Sequence, residues 1–207
     1  MPFYDGASGQ VHYRHWPCAE PLAGLVLLHG RGQHSGNYHR FARALGAERI
    51  EVWALDHVGH GLSEGELGDY GPVPDLGVNV VRLAEIARAE RPGAVLAVMG
   101  HSLGAVAAIT ALTEHPDLFE AVVLSGLPRY AATEPELLAQ VRAPILAVHG
   151  VDDRLAPVDG TREWAARLQG VELWEYADAG HDLLHEPVAG RVTADVTDFL
   201  LRSTVGR

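Results

Sequence analysis

Gly100-His101-Ser102-Leu103-Gly104 follows the apolar run Val95 to Met99 and leads into the helix-like stretch Leu103 to Thr113. A G-x-S-x-G pattern placed between a strand and a helix demands a very tight turn. Small residues are then needed two positions either side of the serine, whose hydroxyl the turn lifts clear of the sheet. Gly100 and Gly104 meet that need. The plainer role for a serine at such a place is a helix N-cap, and partners elsewhere in the chain decide between the two. The spacing makes Ser102 a candidate nucleophile and predicts a parallel strand before it.

Working outward, four more apolar segments read as buried strands: Leu25 to Leu28, Val52 to Leu55, Ala121 to Leu124 and Ile145 to Val148. Helix-like stretches alternate with them at Tyr38 to Leu45, Val78 to Ala89, Val158 to Leu168 and Gly190 to Leu201. This alternation predicts an α/β fold, a mostly parallel sheet with helices on both faces. Glu172 to Tyr176 reads as a sixth parallel strand, and Val11 to Trp16 as an antiparallel edge strand after a turn at Asp5-Gly6. Reactive residues cluster at strand ends, where ligands bind in open α/β sheets.

A serine hydroxyl is a poor nucleophile at neutral pH and needs a base oriented by an acid. On sheets carrying such an elbow the acid and then the histidine follow the serine in chain order. Ile145 to Val148 ends in His149-Gly150-Val151-Asp152-Asp153, and the last strand is followed by Ala179-Gly180-His181. Asp153 is the candidate acid and His181 the candidate base, with Asp152 and His185 as rivals. His181 and His185 could share a helix face as a metal pair, but no third ligand stands at suitable spacing. The loop His29-Gly30-Arg31-Gly32 supplies a backbone donor for a developing oxyanion, Arg31 N–H, beside Leu103 N–H. No step of this chemistry calls for a cofactor or a metal.

Four stretches together resemble the monoacylglycerol lipase and lysophospholipase branch of the α/β-hydrolases. They are His29 to Tyr38, Asp56-His57-Val58-Gly59-His60-Gly61-Leu62-Ser63-Glu64-Gly65, the Gly100 to Gly104 elbow, and His149 to Asp153. The resemblance spans most of the chain. It implies the α/β-hydrolase fold, with Ser102 as nucleophile, Asp153 as acid, His181 as base, and Arg31 and Leu103 as oxyanion donors. The Asp56 to Gly65 loop would be a structural support beside the site. The implied reaction cleaves a small-molecule carboxylic ester, monoacylglycerol-like or of short to medium acyl length, through an acyl-serine. The same triad would serve an acyltransferase, thioesterase or amidase, while a non-catalytic ligand-binding protein of this fold would tend to lose one of its members.

Two departures accompany the resemblance. Members of this branch carry a helical cap before the strand leading to the acid, whereas Gly126 to Ala143 has room for little more than one helix, Glu134 to Val141. The cap is expected to be minimal or absent. Arg31 also places a cation where the family has a smaller side chain.

The chain has 207 residues, 47% of them hydrophobic and 21% charged, enough for one well-buried domain over residues 1–207 with 126–143 as a vestigial cap. Sixteen Lys and Arg against 27 Asp and Glu give a charge of −11, which disfavours nucleic acid and anionic membranes as partners. Cys18 stands alone, so no intrachain disulfide forms and a reducing cytoplasm is the expected location. Met1 to Gly6 lacks the basic and apolar regions of a signal peptide. The apolar runs are far shorter than the ~20 residues needed to span a bilayer.

Overall fold

The five apolar runs are strands buried along their whole length: β3 (Ala23–Leu28), β4 (Ile50–Leu55), β5 (Leu96–His101), β6 (Ala121–Ser125) and β7 (Ile145–Gly150). A computed structural model describes residues 2–131 and 138–205. The remaining strands are β1 (Phe3–Gly6), β2 (Gly9–Trp16) and β8 (Val171–Tyr176). The helices are α1 (His39–Ala47), α2 (Val73–Glu90), α3 (Leu103–Glu114), α4 (Val158–Arg167) and α5 (Ala189–Thr204). The eight strands among the described residues form one sheet in the order β1-β2-β4-β3-β5-β6-β7-β8, parallel from β4 to β8.

Strand periodicity explains why the runs are apolar without alternation. On β3, Leu25 and Leu27 enter a layer filled by Phe41 and Leu45 of α1 and by Val192, Val196, Phe199 and Leu200 of α5. Val26 and Leu28 enter the opposite layer, with Leu76, Val80 and Leu83 of α2, Leu112 of α3 and Trp164 of α4. On α5 the buried positions recur at helical spacing, so one stripe faces the sheet while Arg191 and Arg202 remain outside. No helix among the described residues is long and apolar enough to cross a membrane.

Two expected features differ. The stretch Val11 to Trp16 is not at the edge: β2 lies between β4 and β1, both antiparallel to it, and β1 is the edge. Asp5 and Gly6 belong to β1, and the chain reverses at Ala7-Ser8. Four residues with only Tyr4 buried leave almost no apolar pattern, and a single hydroxyl bond to Asn79 O at 2.8 Å anchors that ring. Helix α2 begins at Val73 rather than Val78. Pro74 sits in its first turn, where no backbone donor is lost. The helix expected over Glu134 to Val141 lies partly outside the described residues, and Leu138 to Val141 form a turn closed by Val141 N–H to Leu138 O at 3.0 Å.

The strand order reverses between β3 and β5, because the chain runs from β3 to β4 on one side and then crosses to β5 on the other. A crevice opens at the carboxyl ends of strands at such a switch point. The loop of Arg31 leaves β3 there, and Ser102 leaves β5.

The Asp56 to Gly65 loop braces this place. Asp56 is buried, accepts from Ser35 N–H at 2.7 Å and Leu62 N–H at 2.9 Å, and meets His12 Nδ1 at 2.9 Å. Burial pushes its carboxyl pKa up, but these hydrogen bonds outweigh burial and leave it lowered. Gly61 has φ +55, and a Cβ there would lie 2.1 Å from Asp56 Oδ2, so only glycine closes the loop over the carboxylate. His57 and His60 are buried inside the loop, in keeping with a supporting part.

Candidate active site

Ser102 sits between β5 and α3 with φ 51 and ψ −111, a left-handed conformation that a non-glycine residue holds at a cost of about 1–3 kcal/mol. Its N–H is fixed to Ser125 O at 2.9 Å. The flanking glycines are sterically required. A Cβ on Gly100 would stand 2.2 Å from Gly104 O, and one on Gly104 would stand 2.1 Å from Leu28 O. The second contact presses the start of α3 onto the end of β3, which brings Leu103 and the Arg31 loop to the same edge. Although Ser102 precedes the first helical residue, its side chain makes no capping hydrogen bond. The plain N-cap role therefore does not account for it.

Asp153 and His181 are brought together. His181 Nδ1 lies 2.7 Å from Asp153 Oδ2. Asp153 Oδ1 accepts from Leu155 N–H and Ala156 N–H, both at 2.8 Å, and His149 Nε2 stands 3.2 Å from Oδ2. The two loops touch where a Cβ on Gly150 would lie 2.1 Å from Gly180 O. Burial alone would raise the Asp153 pKa. The bonds from His149, His181 and Ala156 N–H more than offset it, so the carboxylate is held well below its ordinary range. His181 shows the converse balance: burial lowers its pKa, and the Asp153 bond with the charges of Asp153, Asp182 and Glu186 raises it above the ordinary value.

His181 also approaches the serine turn. Gly126, next to the Ser125 carbonyl that holds Ser102, has φ +57, and a Cβ on it would lie 3.0 Å from His181 Cε1. The rival residues lie elsewhere. Asp152 is exposed, with its N–H bonded to Ala179 O at 2.9 Å, and His185 is exposed with its ring 5.4 Å from that of Tyr38. Arg31 is exposed in the turn closed by Gln33 N–H to Gly30 O, its guanidinium 5.9 Å from the Tyr70 ring. Among the described residues no cluster of three or more His, Cys, Asp or Glu is arranged to hold a metal.

Sequence reasoning missed a second tier of polar residues. Glu186 accepts from Gly180 N–H at 2.6 Å and Asp182 N–H at 3.0 Å, gripping the His181 backbone from both sides. His101, Asp182 and Gln33 form a further chain. The only signal for them is adjacency: His101 precedes Ser102, and Asp182 follows His181.

Comparison with known proteins agrees with this architecture. The family model described as serine aminopeptidase, S33 matches residues 19–135. A monoacylglycerol lipase of Mycolicibacterium smegmatis is 27% identical over 267 aligned positions, covering 96% of this chain and 95% of that protein. The human monoglyceride lipase is 36% identical over 168 positions, covering 78% of this chain but only 54% of that protein. Among solved structures, a thermostable carboxyl esterase from Bacillus coagulans superposes with a TM-score of 0.86 at 15% identity, covering 99% of this chain and 98% of that one.

Proposed function

Given that the chain belongs to the serine aminopeptidase S33 family of α/β-hydrolases, in the monoglyceride lipase branch, we propose that it cleaves monoacylglycerol-like and other short to medium acyl esters by a serine mechanism. Its kinship makes it a carboxylic ester hydrolase. The observation that carries the mechanism is the pairing of His181 with the buried Asp153 at 2.7 Å, with the His181 ring against Gly126 beside the turn that holds a serine at positive φ.

In that mechanism Asp153 keeps the His181 proton on Nδ1, leaving Nε2 free as the base. Ser102 Oγ attacks the ester carbonyl as its proton passes to His181. The tetrahedral oxyanion is met by the N–H groups of Leu103 and Arg31, each worth about 3–4 kcal/mol of barrier in comparable sites. The alcohol leaves with the proton from His181, and water then repeats the sequence on the acyl-serine to release the acid. A raised His181 pKa suits this cycle, because the imidazolium is formed in both halves.

The single domain with a reduced cap at 126–143 belongs to the same proposal. It is supported by the alignment of 267 positions against a chain of 207 residues, the excess being residues of the mycobacterial relative with no counterpart here. An open site gives each added methylene little to pack against, whereas an enclosing pocket discriminates by about 10-fold or more per group. Nitrophenyl and glycerol monoesters from acetyl to dodecanoyl are therefore expected to differ by less than about tenfold in kcat/KM. A sharp optimum at one chain length would contradict the open site. Turnover of aminoacyl amides without turnover of any ester would replace ester cleavage by amide cleavage.

A further inference from the structure

Asp182 adjoins His181 in sequence, yet its carboxylate is bonded to other partners. Oδ1 lies 3.0 Å from His101 Nε2 and accepts from Gln33 Nε2 at 2.9 Å. Both partners lead back to the reacting parts. The His101 ring lies 4.9 Å from the His181 ring, tilted 54°. Gln33 Oε1 accepts from Gly30 N–H at 3.0 Å and from the Tyr38 hydroxyl at 2.6 Å, which fixes the turn containing Arg31. Gly30 in turn abuts His101: a Cβ on it would stand 2.7 Å from Cδ2 of that ring.

We propose that Asp182 is a positioning residue of the ester-hydrolysing site, tying the loop of the general base His181 to the loop of the oxyanion donor Arg31 through His101 and Gln33. This rests on the serine-hydrolase reading above. Because Glu186 already holds the backbone on both sides of His181, the Asp182 side chain is free to reach across the cleft rather than brace its own loop. A link across the cleft fixes the distance between base and oxyanion donor, and an error of about 1 Å in such a distance costs up to about 100-fold in rate.

The same carboxylate acts through its charge. The groups facing His181 are the carboxylates of Asp153, Asp182 and Glu186 and the ring of His101. Asp182 itself faces His101, His181 and His185. Burial lowers the His101 pKa although the Asp182 bond raises it, and His101 Nε2 meets the Asp182 carboxylate at 3.0 Å. The Asp182 charge is among those that raise the His181 pKa. Its side chain is 46% exposed, so water screens the effect and leaves it small.

Asp182→Asn and Asp182→Ala in the full chain separate the two contributions, with kcat and kcat/KM for a nitrophenyl ester followed against pH. Asparagine keeps an oxygen for His101 and Gln33 but loses the charge. It is expected to recover at least about a third of the parent's plateau kcat, with the acid limb of kcat/KM moved to lower pH by about half a unit. Alanine loses both and is expected to lower kcat about tenfold with KM little changed. The proposal is overturned if both variants keep the parent's kcat and pH profile, or if the acid limb of the Asn variant stays in place or moves upward. Should the Ala variant not fold, the Asn profile decides. Ser102→Ala serves as the blank: equal turnover by parent and blank would remove the serine-hydrolase reading and this proposal with it, before any Asp182 variant is compared.

Discussion

Ser102→Ala is expected to lower kcat toward nitrophenyl esters by about 10⁶-fold, leaving only the rate that binding and the oxyanion donors provide. In the proposed mechanism Oγ is the atom that forms the acyl bond, and no other hydroxyl occupies the strained turn between β5 and α3. The fold should be unaffected. The serine hydroxyl makes no helix-capping bond, and alanine meets the same backbone constraint at φ 51 as serine does. A thermal midpoint close to the parent's would thus accompany the loss of turnover. Residual activity above about 1% of the parent would show that the reaction does not pass through this serine.

Asp153→Asn is the second large effect, about 10⁴-fold in kcat, and its direction follows from the hydrogen bonds. Oδ1 of Asp153 accepts from two backbone donors, Leu155 N–H and Ala156 N–H. The amide oxygen of an asparagine must take that place, which turns its NH₂ group toward His181 Nδ1. Two donors cannot face each other, so His181 must carry its proton on Nε2 and can no longer accept one from Ser102. The substitution is nearly isosteric, so a folded protein with intact ester binding and a collapsed kcat is expected. Activity within tenfold of the parent at neutral pH would mean that another group orients the imidazole.

The parallel part of the sheet was legible because it is covered on both faces. Strands such as Leu25 to Leu28 must then be apolar at every position, and the loops between them carry the polar residues. β1 was not legible, since Phe3 to Gly6 buries one side chain and sits at the exposed edge. The chain order of Ser102, Asp153 and His181 could be read directly and Asp153 was favoured over Asp152, but the reason one carboxylate and not the other meets His181 was not in the sequence. The fold turns Asp153 inward, where its side chain is wholly buried, and Asp152 outward. The Asp182 chain lay further still from sequence reasoning: its bonds join residues 81 and 149 positions apart, and neither spacing forms a motif. The Asp56 loop is intermediate. Its glycines and its carboxylate stand out in the sequence, while the reason for them, one carboxylate closing the loop and holding Ser35 N–H, appears only in three dimensions.

The proposed chemistry depends on covalent attack by Ser102. Treating the protein with a fluorophosphonate and sequencing the labelled peptide by mass spectrometry tests it most directly. One adduct per chain on Ser102, none on Ser102→Ala, and loss of esterase activity in step with labelling are the predicted results. Full inactivation with the adduct on another residue, or steady ester turnover with no adduct on Ser102, would contradict the account.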